Sequence, residues 1–283
     1  MARIDAFRRG DLSFSVRDSG PENGAPVVLL HGFPQNSSSW DQVATLLNRA
    51  GYRTLAPDQR GYCPDATPAG RHSYRIGELV EDVVELIGQA GLGPVHLVGH
   101  DWGAGVAWAV AATHPELLRS LTAVSVPHPT AFLLSMFSSS QIFQSYYMLM
   151  FQLPWLPELL MRKENGFFYQ MLKRSGQTPA AALRDIRNLQ EGDTATAAVN
   201  YYRALPYAVA LAPALRHPIT VPTLQVWSDG DTAVGRRGHD LTRKFVTGPW
   251  KLVVLEGVSH WIPEERPETL AELIEAHAAS CAA

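Results

Sequence analysis

Short apolar runs alternate with stretches of helical periodicity along the first half of the chain. Pro26-Val27-Val28-Leu29-Leu30 is a continuous apolar run, the pattern of a strand buried on both faces of a parallel sheet. The segment 39–50 reads as a helix with Asp41 in its first turn, and 52–57 reads as a second buried strand ending in DQRGY. Over 75–90, Ile76, Leu79, Val80, Val83, Val84 and Ile87 fall on one face of a 3.6-residue repeat, and Gly91 with Gly93-Pro94 stops the helix. A strand is predicted at 95–99 and another at 121–126. The intervening segment 103–113 is apolar nearly all round, so it reads as a buried helix.

The period then changes. From Pro127 to about Pro218 the strand signals vanish, leaving aromatic- and Met-rich segments punctuated by prolines, which read as a helical insertion. Alternation resumes with a strand at 222–227, a helix near 237–246, a strand at 251–255 and a terminal helix at 267–279. Repeated βα units predict an α/β class with a doubly wound, mostly parallel sheet. The expected division is a core of residues 1–127 and 216–283 and a helical cap of residues 128–215. Sheets of this kind bind ligands beyond the carboxyl ends of their strands. HGFP (31–34), GHDWG (99–103), WSDGD (227–231) and GVSHW (257–261) all fall there.

Composition narrows the partners. A chain of 283 residues with 46% apolar and 18% charged residues and a net charge of −3 is an ordinary globular protein with no nucleic-acid signature. It shows no internal repeats and no run of about 18 apolar residues, so no membrane span is expected. MARIDAFRRG is followed by no apolar stretch of a secretory signal. Cys63 and Cys281 share no motif spacing, which makes the cytoplasm the default compartment and a disulfide or zinc site unexpected.

The candidate chemistry centres on Gly99-His100-Asp101-Trp102-Gly103, where flanking glycines let a strand turn sharply into a helix. The tip side chain is a carboxylate. Asp101 could simply cap the following helix, but His260 and the aspartates Asp229 and Asp231 follow in the chain order nucleophile, acid, histidine, with the acid and the histidine just past the last two predicted strands. With the HGFP loop and the helical insertion, this pattern resembles the α/β-hydrolase superfamily, and within it the soluble epoxide hydrolases, over nearly the whole chain. The resemblance implies an α/β-hydrolase fold with an inserted helical cap. It implies that Asp101 is the nucleophile and His260 the base that activates water. Asp231 is the best match to the acid that orients His260, with Asp229 as the fallback. The backbone N–H groups of Phe33 and Trp102 would form the oxyanion hole. The pattern also allows a cis peptide before Pro34.

A carboxylate nucleophile suits an sp³ carbon carrying a leaving group, because the product is an alkyl ester that water can hydrolyse. That restricts the substrate to an epoxide or an alkyl halide. An epoxide oxygen leaves as a basic alkoxide and needs a proton donor. Residues 145–152 (SYYMLMFQ) and 200–203 (NYYR) resemble the two cap motifs of epoxide hydrolases, which match Tyr147, with Tyr146 as competitor, and Tyr202 as the proton donors. Trp102 is the feature that keeps a haloalkane dehalogenase in view, because its position matches the halide-binding indole of those enzymes. Phe33, where many of them place asparagine, argues against it. A non-catalytic ligand-binding protein on the same scaffold is disfavoured by the retained Asp101 and His260. Trp40, Met136, Phe137, Phe151, Trp155 and Trp261 are candidates to line an apolar pocket, together with Phe33, Trp102, Tyr147, Phe167 and Phe168. The expected partners are a small hydrophobic epoxide and water, with the chain a monomer or homodimer. No cofactor or metal is expected, since no G-x-G-x-x-G, phosphate loop or HExxH is present.

Overall fold

The computed structural model describes residues 3–210 and 217–281. Eight strands form one sheet: β1 (Ala6–Arg9), β2 (Leu12–Ser19), β3 (Pro26–Leu30), β4 (Arg53–Pro57), β5 (Val95–His100), β6 (Leu118–Val124), β7 (Thr223–Ser228) and β8 (Trp250–Leu255). Their order is β1-β2-β4-β3-β5-β6-β7-β8. From β4 onward every pairing is parallel, and β2 is antiparallel to both β1 and β4. The antiparallel edge is the part of the sheet not foreseen above. Its signal is the alternation of Phe14 and Val16, buried, with exposed Ser15 and Arg17.

The connecting helices are α1 (Asp41–Arg49), α2 (Ile76–Gln89) and α3 (Trp102–Thr113). Between β6 and β7 the chain runs through α4 (Pro129–Ser138), α5 (Gln141–Gln144), α6 (Tyr146–Met150), α7 (Leu156–Met161), α8 (Phe167–Arg174), α9 (Pro179–Leu189) and α10 (Thr194–Arg203), with no strand among the described residues. After β7 come α11 (Arg236–Thr242), α12 (Ile262–Glu265) and α13 (Pro267–Ser280). The expected boundary between residues 215 and 216 lies outside the described residues.

Two apolar layers cover the sheet, and β3 shows why its sequence is an unbroken apolar run. Val28 and Leu30 join the layer that holds α2, α3 and much of the insertion, whereas Val27 and Leu29 join the layer that holds α1, α12 and α13. The two sides of β3 are taken by β4 and β5, so strand order reverses there. Sheets of this kind place ligands beyond the strand ends at such a reversal. No helix among the described residues is long and apolar enough to cross a membrane.

Candidate active site

The turn after β5 is built by close backbone approach. A Cβ on Gly99 would lie 2.2 Å from the Gly103 carbonyl oxygen, and one on Gly103 would lie 2.1 Å from that of Leu30. Only glycine fits either position. Between them Asp101 sits at φ 51°, ψ −119°, a conformation that L-residues rarely adopt. Its side chain makes no capping bond to α3, so the helix-cap alternative does not describe it. Instead Asp101 Oδ1 accepts the Phe33 N–H at 2.8 Å. The Phe33–Pro34 peptide is cis. The HGFP loop is held by His31, whose Nε2 accepts the Gln59 N–H at 3.0 Å.

His260 follows β8 and reaches the same point. Its Nε2 lies 3.6 Å from Asp101 Oδ2, and its Nδ1 lies 2.7 Å from Asp231 Oδ2. Asp231, rather than Asp229, stands behind the imidazole. Asp229 Oδ1 accepts the Gly257 N–H at 2.7 Å and braces the turn before His260. Burial alone lowers the basicity of an imidazole, but the charges of Asp231 and Asp101 outweigh it and raise the His260 pKa to about 10. Burial works the other way on Asp101, yet the positive charge of His260 at 3.6 Å leaves that carboxyl below its ordinary value.

The insertion supplies two phenols above the carboxylate. Helix α10 buries Tyr202, and α6 turns Tyr147 inward while leaving Tyr146 58% exposed. The Tyr147 and Tyr202 rings meet edge to face at 6.0 Å between centroids. Burial first, and the Asp101 charge second, push both phenols above their ordinary pKa. The Trp102 indole stands edge to face with the Tyr202 ring at 5.1 Å between centroids. Two residues of the quoted motifs join these helices. Gln152 Nε2 donates to the Tyr202 carbonyl at 2.8 Å. Arg203 donates to the Phe151 carbonyl at 3.0 Å and pairs with Glu158 at 2.6 Å. Tyr201 OH donates to the Arg60 carbonyl at 2.7 Å and fastens α10 to the DQRGY loop.

The expected pocket residues divide. Phe151 is buried against Phe33 and Tyr202, with ring centroids 5.3 and 4.8 Å away, and Phe168 packs against Phe33 at 5.7 Å. Trp261 packs edge-on to His260 at 5.2 Å and donates its indole N–H to Ser175. Met136 is half-buried on α4. Four residues lie elsewhere, among them Phe167, which is 54% exposed on α8. Trp40 is buried in the layer under α1 and α13, on the other face of the sheet from Phe33 and Phe151. Phe137 and Trp155 are 82% and 79% exposed on the outer surface of the insertion. An aromatic in an amphipathic or proline-rich segment carries no mark of which side it faces. No group of His, Cys, Asp and Glu suited to a metal ion occurs among the described residues.

Comparison with known proteins agrees with this architecture. The family model for the alpha/beta hydrolase fold matches residues 25–267. The AB hydrolase superfamily protein YfhM of Bacillus subtilis is 35% identical over 273 residues, 93% of each chain. Epoxide hydrolase A of Mycobacterium tuberculosis is 30% identical over 296 residues, covering 90% of this chain and 91% of that protein. The crystal structure of epoxide hydrolase VrEH1 from Vigna radiata superposes with a TM-score of 0.82 at 26% identity, over 98% of this chain and 99% of that one. The chain therefore belongs to the α/β-hydrolase superfamily and, within it, to the epoxide hydrolase family.

Proposed function

We propose that the chain converts epoxides to vicinal diols through an ester on Asp101. The observation that carries this reading is a carboxylate, not a hydroxyl, on the strained turn, with one oxygen on a backbone N–H and the other facing His260. Oδ1 stays on the Phe33 N–H, and the Trp102 N–H is the second donor of the proposed oxyanion hole. Oδ2 attacks a ring carbon, the carbon–oxygen bond breaks, and the alkoxide takes a proton from Tyr147 or Tyr202. The imidazolium of His260 is the proton reserve that restores the phenol.

Esterification removes the Asp101 charge. His260 then keeps only Asp231 as a negative partner, so its basicity falls and it becomes a competent base. It takes a proton from water. The resulting hydroxide attacks the ester carbonyl carbon, and the developing charge on Oδ1 meets the two N–H donors. Collapse releases the diol and returns Asp101 as carboxylate and His260 as imidazolium, so the cycle closes with one water consumed.

In this reading residues 128–215 act as the cap over a core of residues 1–127 and 216–283, and Phe33, Phe151, Phe168 and Trp261 supply apolar walls for a hydrophobic epoxide. The two phenols favour the epoxide over a halide, because an epoxide oxygen leaves as a basic alkoxide that needs a proton donor. The test is intact-protein mass after incubation with a styrene oxide-like epoxide. His260→Gln is expected to accumulate one substrate mass and Asp101→Ala none. A folded His260→Gln that stays unmodified while the wild type turns over overturns the ester route.

A further inference from the structure

We propose that His100, acting with Ser125, is a positioning residue that holds the His260 main chain and thereby sets the rate of ester hydrolysis. Three neighbouring strands end beneath the His260 loop, and each sends one side chain to a carbonyl of that loop. Ser228, the last residue of β7, donates Oγ–H to the Ser259 carbonyl at 2.7 Å. Ser125, just past β6, donates to the His260 carbonyl at 2.9 Å. His100, the last residue of β5, reaches the same carbonyl oxygen through Nε2 at 3.0 Å. Both lone pairs of that oxygen are thus occupied by side chains from other strands.

Two features at this point run against the ordinary preferences of their residues. Ser125 has φ 65°, in the region that favours glycine. His100 is buried beside the nucleophile, and its Nδ1 has no protein partner, so the one N–H of the neutral ring faces the carbonyl. Burial, and then the charge on His260, hold His100 down to about 4, which keeps it neutral while His260 is charged. Both features converge on a single backbone atom of the residue whose ring must stay 2.7 Å from Asp231 and 3.6 Å from Asp101. Displacement of a catalytic group by about 1 Å costs on the order of 10²-fold in rate. Ring opening needs Asp101 and the phenols. Hydrolysis needs His260 in place, so loosening the clamp slows the second step selectively.

This inference rests on the ester route, and the experiment separates the two. Rapid quench with intact-mass detection follows ester formation and decay in the wild type, His260→Gln, His100→Leu, His100→Gln and Ser125→Gly. Glutamine can place an N–H near the original Nε2, and glycine accepts the Ser125 backbone while deleting the hydroxyl. The expected result for His100→Leu is ester decay slowed about 10- to 100-fold, with ester formation within about 3-fold of wild type. His100→Gln recovers most of the decay rate, and Ser125→Gly shows a smaller slowing of the same step. Should His100→Leu fail to fold, Ser125→Gly alone decides the matter. Wild-type decay in the folded variants, or equal slowing of both steps, overturns the clamp. Absence of ester in His260→Gln overturns the ester route instead.

Discussion

His260 Nδ1 lies 2.7 Å from Asp231 Oδ2, while Asp231 Oδ1 accepts the N–H groups of Ala233 and Val234 at 2.7 and 2.9 Å. The carboxylate is therefore an acceptor on both sides. An asparagine there must turn its oxygen to the two backbone donors, which leaves its NH₂ facing the imidazole and imposes the wrong tautomer. Asp231→Asn is expected to lower kcat by about 10³- to 10⁴-fold and to lower the melting temperature, because the buried His260 ion pair loses its carboxylate. Asp229→Asn, which touches only the Gly257 turn, is expected to stay within about 3-fold of wild type. Steady-state diol formation and a thermal melt on each variant check both statements.

The route of oxygen follows from the two Asp101 oxygens having different partners. On the proposed ester route Oδ2 becomes the ester oxygen and departs with the diol, and the carboxylate takes its replacement from water. A single turnover in H₂¹⁸O, with enzyme in excess, is expected to place the label in the peptide containing Asp101 and to leave the diol unlabelled. Label in the diol after one turnover would mean that water attacks the epoxide directly.

On the proposed route Tyr147 and Tyr202 serve one epoxide oxygen, so each covers in part for the other. Tyr147→Phe or Tyr202→Phe alone is expected to slow ester formation by about 10- to 100-fold, and the pair by far more. Tyr146→Phe is expected to change nothing, because that ring is largely exposed. Pre-steady-state ester formation is the measurement, since turnover limited by hydrolysis would hide the loss.

The parallel strands were legible because burial on both faces leaves an unbroken apolar run, as in β3, and the turn was legible because only glycine fits at positions 99 and 103. The helical insertion was legible in outline only. Its side-chain directions depend on packing against the core, which periodicity in such short helices does not encode. Tyr147 and Phe151 face inward while Phe137 and Trp155 face out, with nothing in residue type to separate them. Trp40 was misplaced for a related reason: it follows the HGFP loop closely in sequence, yet it turns beneath α1 into the opposite apolar layer. His100 went unread as a functional residue although it stands inside GHDWG. A histidine ending a buried strand is unusual, but its partner is a carbonyl 160 residues away.

The raised pKa of His260 links the site to stability. Its folded value of about 10 exceeds the ordinary histidine value of about 6.5, so the ion pairs with Asp101 and Asp231 contribute fully below about pH 6.5 and are lost as pH rises through about 10. Asp101 acts at the other end: its lowered pKa gives a contribution present above the ordinary carboxylate value and lost on acidification. Between pH 6.5 and 10 the wild type is expected to lose on the order of a few kcal/mol relative to His260→Gln. Urea unfolding of both proteins across that range measures the difference. Parallel pH profiles would show that His260 is not charged in the folded enzyme.

Arg203 joins the two phenol-bearing segments of the insertion. Its guanidinium donates to the Phe151 and Leu153 carbonyls and pairs with both Glu158 oxygens, at 2.6 and 3.1 Å, with little of either side chain exposed. Arg203→Met keeps much of the stem but leaves the Glu158 carboxylate and two carbonyls without their donor. Removing one member of a mostly buried ion pair costs about 3–5 kcal/mol. A lysine reaches Glu158 as a point charge and cannot serve the three acceptors together. The melting temperature is therefore expected to fall in the order wild type, Arg203→Lys, Arg203→Met. Because Phe151 and Tyr202 pack at 4.8 Å between ring centroids, loosening this link also shifts the phenols. Ester formation should then slow in Arg203→Met more than ester decay, the reverse of the pattern expected for His100→Leu. Double replacement with Glu158→Leu removes the orphaned carboxylate and is expected to restore part of the stability but not the rate of ester formation. Recovery of both together would mean that Arg203 serves the fold alone.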